Sequence, residues 1–130
     1  MNEIVCEWIF KSQMDFDTAE REFSVEVLAN YDAVCYHYQQ AIEKLMKAVL
    51  IIYGENPPKT HNLETLSKLI SIHSQAWSSS TPDLRLLTHA ASDFRYPGEI
   101  ASKGIAERTR QIAAEMREKL NTELLKQLSN

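Results

Sequence analysis

The stretch that most limits how this chain can fold is residues 35 to 54, CYHYQQAIEKLMKAVLIIYG. Cys35, Tyr38, Ile42, Leu45, Val49 and Ile52 follow one another at steps of three and four, the repeat of one helical face. A half-buried strand would need apolar residues at every second position, and no segment of the chain sustains that pattern. Only 3 Gly and 4 Pro occur in 130 residues, so the chain has few places to turn and favours long helices. The opposite face of the same segment is also unusual. Tyr36, Gln40, Lys44, Lys47 and Ile51 line up there, an aromatic ring, an amide, two ammonium groups and an apolar residue. Such a face needs a partner of its own.

The remaining segments fit the same architecture. A first helix runs from about Asn2 into the low twenties, with Ile4, Val5, Trp8, Ser12, Asp15, Phe16, Ala19 and Phe23 on one side. Asp15 is a carboxylate inside that stripe. Either the stripe's edge reaches water there, or Asp15 is partly buried and needs a cation or several donors. Asp32 is placed to cap the second helix and Gly54 to end it in a left-handed turn. In "ENPPKTHN" two prolines bar a helix. Thr60 or Asn62 then caps a third helix carrying Leu63, Leu66, Leu69 and Ile70. "SSSTP" is a polar break, after which Pro82 suits the first turn of a shorter helix with Leu84, Leu87, Ala91 and Phe94. "RYPG" interrupts again, and a last helix from about Glu99 to Leu128 shows Ala101, Ile105, Ile112, Met116, Leu120 and Leu124. The fold class expected is all-α: residues 1–130 as a single domain, an up-and-down bundle of four main helices plus one short helix.

Composition excludes several classes. A net charge of -4 argues against a general nucleic-acid coat, although a small basic pocket on an acidic body remains compatible. Cys6 and Cys35 are the two cysteines, both on helical stripes, and read as buried thiols of a reducing compartment. No cluster has zinc-ligand spacing, so neither a metal nor a cofactor is expected. "MNEIVCEWIF" lacks the basic and apolar regions of a signal peptide, and the longest apolar run, "AVLIIY", falls far short of the roughly 20 residues of a membrane span. These features predict a soluble, cytoplasmic domain with no membrane partner.

Four histidines are present, but the sequence shows no His-Glu-x-x-His run, Gly-rich phosphate loop or paired-carboxylate motif, and no catalytic residue is assigned. His61 differs from the others because it sits, with Lys59, in a stiffened loop at a helix N-terminus, where backbone donors favour an anion. Lys44 and Lys47 are three apart on one face, a spacing that lets two ammonium groups meet one phosphate chain. In "SDFRYPGE", Arg95 offers a guanidinium fork and Tyr96 a ring, held by Pro97. The competing arrangement is internal: Lys44, Lys47 and Arg95 paired with Asp15, Glu43 and neighbouring carboxylates.

Four motifs together resemble one family. Trp8, Asp15 and Ala19 resemble its opening pattern; "CYHYQQAIEKLMKAVLIIYG" is similar to its most recognisable helix, with a Gln-Ala-x-Glu-Lys-x-x-Lys-Ala core; "PPKTHNLETL" and "RYPG" follow in the expected order. The family is the HEPN domain, the higher-eukaryote and prokaryote nucleotide-binding domain. The resemblance implies an up-and-down helical bundle that commonly dimerises and a role in binding nucleotides. It also implies, for many prokaryotic members, pairing with a minimal nucleotidyltransferase in toxin–antitoxin-like systems. Matching positions are Gln40, Glu43, Lys44, Lys47, His61, Arg95 and Tyr96. The nucleotide-binding set expected is Lys44, Lys47, Lys59, His61, Arg95 and Tyr96. The dimer or partner surface expected is Tyr36, Gln40 and Ile51. Other branches are metal-independent ribonucleases with Arg, four to six residues, then His. Here Arg95 has no histidine after it, and only three residues separate Arg85 from His89. The alternatives are therefore a ribonuclease toxin without its acid–base group and a purely structural dimeric bundle, and RNA is not an expected ligand.

Overall fold

The computed structural model describes residues 2–95 and 97–128, apart from the side chains of Arg95 and Leu128. The helices are α1 (Glu3–Phe23), α2 (Tyr31–Ile52), α3 (Leu63–His73), α4 (Thr81–Ser92) and α5 (Lys103–Leu128), with one 3-10 turn at Asp93–Arg95. No strand occurs among the described residues, so the all-α expectation holds. No helix there is long and apolar enough to cross a membrane.

The helices start where short polar side chains satisfy free backbone donors. Asn2 Oδ1 accepts from Val5 N at 2.8 Å and Asn30 Oδ1 from Ala33 N at 3.0 Å. Asn62 Oδ1 accepts from Glu64 N at 2.9 Å, and Ser80 Oγ from Asp83 N at 3.4 Å. The cap of α2 is therefore Asn30, and not Asp32. The Asp32 carboxylate instead accepts from Ala101 N at 2.7 Å and ties the connector before α5 to the head of α2. That tie also explains why α5 starts later than Glu99. Gly98 turns with φ +94, Ala101 is pinned, and Ser102 accepts from Ile105 N at 3.1 Å to open the helix. At the other end of α2, Gly54 takes φ +86 and Glu55 N reaches back to Leu50 O at 2.9 Å, which closes the helix as Gly54 predicted.

α2 is the central element and packs against each of the other four helices. Tyr38, Ile42, Met46 and Leu50 are fully buried on it, with Leu63, Leu66, Ile70, Leu87, Ile112 and Leu120 around them. Truncating any of these large residues to Ala costs about 2–5 kcal/mol. Three expectations need correction. Ile4 and Ile105 lie outside the core, because the inward positions of the first turns of α1 and α5 are taken by their chain neighbours Val5 and Ala106, which are buried. Phe94 falls in the 3-10 turn beyond α4. Cys6 is exposed, and only Cys35 is buried, its thiol 3.7 Å from Thr109 Oγ1.

Candidate functional site

The second face of α2 is built around two carboxylates. α1 runs beside α2 closely enough for Ser12 Oγ to donate to Ala41 O at 2.6 Å. One turn along, Asp15 faces α2 with its side chain 13% exposed. Lys44 Nζ donates to its Oδ2 at 2.5 Å, and His37 Nδ1 lies 2.8 Å from its Oδ1. Asp15 is therefore the partly buried carboxylate with a lysine and a histidine as its partners, and not a wet helix edge.

Glu43 forms the second centre and is buried. Its Oε2 accepts from Lys47 Nζ at 3.1 Å, one helical turn on. Its Oε1 meets His61 Nδ1 at 2.8 Å and Gln39 Nε2 at 3.1 Å. Gln39 also donates to His61 O at 3.2 Å, and Gln40 Nε2 donates to Gln39 Oε1 at 2.8 Å. A buried carboxylate with this many donors is fully satisfied. Lys44 and Lys47 therefore turn to separate carboxylates and do not converge on one point. His61 serves as the bond between the loop before α3 and the middle of α2.

Beyond Lys47 the bundle opens. A groove of about 600 Å³ lies between the start of α1, the end of α2 and the 54–59 loop. Trp8, Ile4 and Ile51 line it, together with Glu55, Asn56, Pro57 and Pro58, Lys47 and Lys59. The Lys47 ammonium sits 5.7 Å from the centroid of the Trp8 ring, a cation–π contact. Lys59 is exposed and makes no ion pair among the described residues. Pro57 and Pro58 stiffen the outer wall.

The remaining expected residues lie elsewhere. Tyr36 lines a smaller cavity with Asp32, Ala90, Ala91 and Phe94, and its ring meets His37 edge-on at 5.3 Å. The 3-10 turn that contains Arg95 is thus at the head of α2. The groove is at its tail, some 15 residues or about 22 Å of helix away. The side chain of Arg95 and the whole of Tyr96 lie outside the described residues. Arg85 donates to Glu64 Oε1 at 2.9 Å, and His89 stands 3.6 Å from Asp93, so both are engaged on the surface. Among the described residues no group of His, Cys, Asp or Glu is placed to hold a metal ion.

Sequence reading missed the groove's other walls. It placed Trp8 on the core stripe, where it is only half-buried, and gave Glu55 and Asn56 no role. The usable signal was the pair of prolines directly after a helix-ending glycine, which holds a polar loop away from the bundle. A further cluster joins α1 to α5: Arg110 donates to both Glu20 oxygens at 2.9 and 3.1 Å, and the buried Tyr38 hydroxyl donates to Glu20. The Arg110 bond holds the Glu20 carboxyl below its ordinary range, and burial pushes the Tyr38 phenol up.

The family model described as HEPN domain matches residues 5–123. The fold is similar to the crystal structure of TT1696 from Thermus thermophilus, with a TM-score of 0.74, 17% identity, and 95% of this chain and 99% of that one covered. It is also similar to the crystal structure of an archaeal HEPN homologue, with a TM-score of 0.65, 20% identity, and coverage of 95% and 98%. No curated protein matches the chain.

Proposed function

Because the chain belongs to the HEPN domain family, we propose that it works as a HEPN module that binds a nucleotide in the groove at the tail of α2. The observation that carries this reading is the combination of Trp8 and Lys59 in one groove. An indole face stacks on a base, and an uncommitted ammonium donates hydrogen bonds to a phosphate. At about 600 Å³ the groove has the volume of a small-molecule site. Lys47 adds a second cation at the inner wall, shared with Glu43. Of the cations expected from the sequence, Lys47 and Lys59 are the ones at this groove.

The test is titration of the purified chain with ATP and GTP, followed by calorimetry and by Trp emission. Trp77 is part of the α3–α4 connection and is buried, its indole N–H donating to Ser67 Oγ at 2.9 Å, and it does not line the groove, so a change in emission reports Trp8. The reading expects micromolar-range affinity, weakened about tenfold in Lys59→Ala. Absence of heat and of any emission change up to millimolar nucleotide overturns it.

A second observation favours a protein partner. Phe10 is 62% and Met14 48% exposed, one turn apart on the outward side of α1. Large apolar side chains grouped in this way suit a protein surface. The partner is a second copy of the chain or a minimal nucleotidyltransferase, as in toxin–antitoxin-like pairs. Sedimentation at micromolar concentration should give about twice the 14.9 kDa chain mass, and Phe10→Glu with Met14→Glu should return it to the monomer. A wild-type monomer at high concentration removes the second copy from consideration and leaves co-purification with the nucleotidyltransferase as the deciding measurement.

A further inference from the structure

We propose that the groove selects guanine over adenine, with Glu55 as the specificity-determining residue and Asn56 beside it; this rests on the nucleotide reading above. Glu55 and Asn56 are consecutive residues and, beside the two lysines, the polar side chains of a groove otherwise walled by Trp8, Ile4, Ile51, Gly54 and two prolines. They hold the groups that can read a base edge, whereas Lys59 holds the charge that reads a phosphate.

Glu55 is fixed from two directions. Its backbone N–H is held by Leu50 O at 2.9 Å, immediately after the left-handed Gly54, and Pro57 follows two residues later. Its Oε1 lies 2.9 Å from His73 Nε2, and the His73 ring is stacked on Tyr53 at 5.2 Å with 11° between planes. The carboxylate is therefore positioned before any ligand arrives. Its Oε2 has no partner among the described residues.

An ionised carboxylate only accepts hydrogen bonds. Guanine presents two adjacent donors on its Watson–Crick edge, N1–H and the N2 amino group, which match the Glu55 Oε2 and the second lone pair of Oε1 beside its bond to His73. Its O6 beside them accepts, and the Asn56 amide supplies a donor next in the chain. Adenine puts the N1 lone pair where guanine has N1–H, so its edge meets Glu55 acceptor to acceptor. Hypoxanthine keeps N1–H and O6 but lacks the amino group, and so matches half of the carboxylate.

The experiment is calorimetric titration of the full chain with GMP, IMP and AMP. GMP should bind about tenfold or more tightly than AMP, with IMP between them, as for a bidentate base contact. Glu55→Gln should bring GMP down to the AMP level and leave AMP unchanged or slightly tighter. Lys59→Ala should weaken all three by the same factor, which separates the phosphate contact from base reading. His73→Ala removes one of the two restraints on the carboxylate and should reduce the preference for GMP without abolishing it. Equal affinity for GMP and AMP, or a guanine preference that survives Glu55→Gln, overturns the role of Glu55 while leaving nucleotide binding intact. Absence of binding by all three overturns the nucleotide reading and this inference with it.

Discussion

His61 Nδ1 lies 2.8 Å from Glu43 Oε1, joining an imidazole that is 81% exposed to a carboxylate that is 4% exposed. The pair links the loop before α3 to the middle of α2. With Lys47 and Gln39 on the same carboxylate, it explains why a polar stripe can run along the most buried helix of the bundle. No buried side-chain nitrogen or oxygen among the described residues is left without a partner. Much of the polar face of α2 is thus met from inside the chain, by α1 through Asp15 and by the loop through His61.

Removing Glu43 should therefore expose how much of this network is structural. Glu43→Ala leaves Lys47, itself nearly buried, without a counterion, and a broken buried pair costs about 3–5 kcal/mol. His61→Ala removes an exposed partner and should cost under about 1 kcal/mol. Urea unfolding followed by circular dichroism checks both. Equal losses from the two variants would mean that the loop bond, and not the buried ion pair, carries the stability.

Stability should also fall at both ends of the pH range. The folded pKa of Glu20 is depressed, chiefly by the Arg110 hydrogen bond. Its contribution is present above the ordinary carboxylate value of 4.5 and is lost as pH falls through the lowered folded value. Tyr38 shifts the other way: burial first, and then its bond to Glu20, keep the phenol protonated. That contribution is present below the ordinary value of 10.0 and is lost as pH rises beyond it. Thermal unfolding from pH 3 to 11 should show a plateau between roughly 5 and 9. Glu20→Gln should flatten the acid limb and Tyr38→Phe the alkaline one. Unchanged limbs in both variants would place the pH dependence elsewhere.

How far the sequence could be read differs by element, for physical reasons. The α2 stripe was legible because a central helix buries most of its surface, and its 3.6-residue repeat has no competing explanation. Asp15 was half legible. Its place in an apolar stripe signalled burial or an edge, but the choice depends on Lys44 and His37, which approach from another helix. Asp32 misled for a local reason, since Asn30 and Asp32 are both good caps and the tie to Ala101 spans 69 residues. The convergence of Lys44 and Lys47 is compatible with their spacing, yet it fails because each lysine finds a nearer carboxylate. Trp8 could not be assigned to the groove from periodicity, because a stripe records which side of a helix faces inward and not where the neighbouring helix ends.

One exposed position is predicted to be improvable. Leu28 has φ +57 and is 95% exposed in the connector between α1 and α2. A left-handed conformation costs an L-residue with a Cβ roughly 1–2 kcal/mol, and Leu28 regains little of that by packing. Leu28→Asn should raise stability by about 0.5–1 kcal/mol, because Asn tolerates this conformation and adds less unfolded-state freedom than Gly. Melting temperature is the measurement, and a decrease would show that the Leu28 side chain has a contact that outweighs its backbone strain.

The last prediction separates the groove from the lysine cluster that spacing alone suggests. If phosphate binds at the tail of α2, the lysines on that face should differ sharply in effect. Lys59 lines the groove without an ion pair among the described residues, so Lys59→Ala should weaken GTP binding about tenfold and lower its salt dependence. Lys44 turns to Asp15 at 2.5 Å on the α1 side, so Lys44→Ala should leave GTP affinity within about twofold and register in stability instead. Lys47 lies between the two cases, because a phosphate must compete with Glu43 for its ammonium. Its replacement by Met, which keeps the apolar stem, should weaken binding less than Lys59→Ala. Titrations of the three variants at 50 and 200 mM salt, read beside their unfolding curves, give the order. A larger loss from Lys44→Ala than from Lys59→Ala would move the anion from the tail of α2 to its middle on the α1 side, where Asp15 would have to release its lysine first.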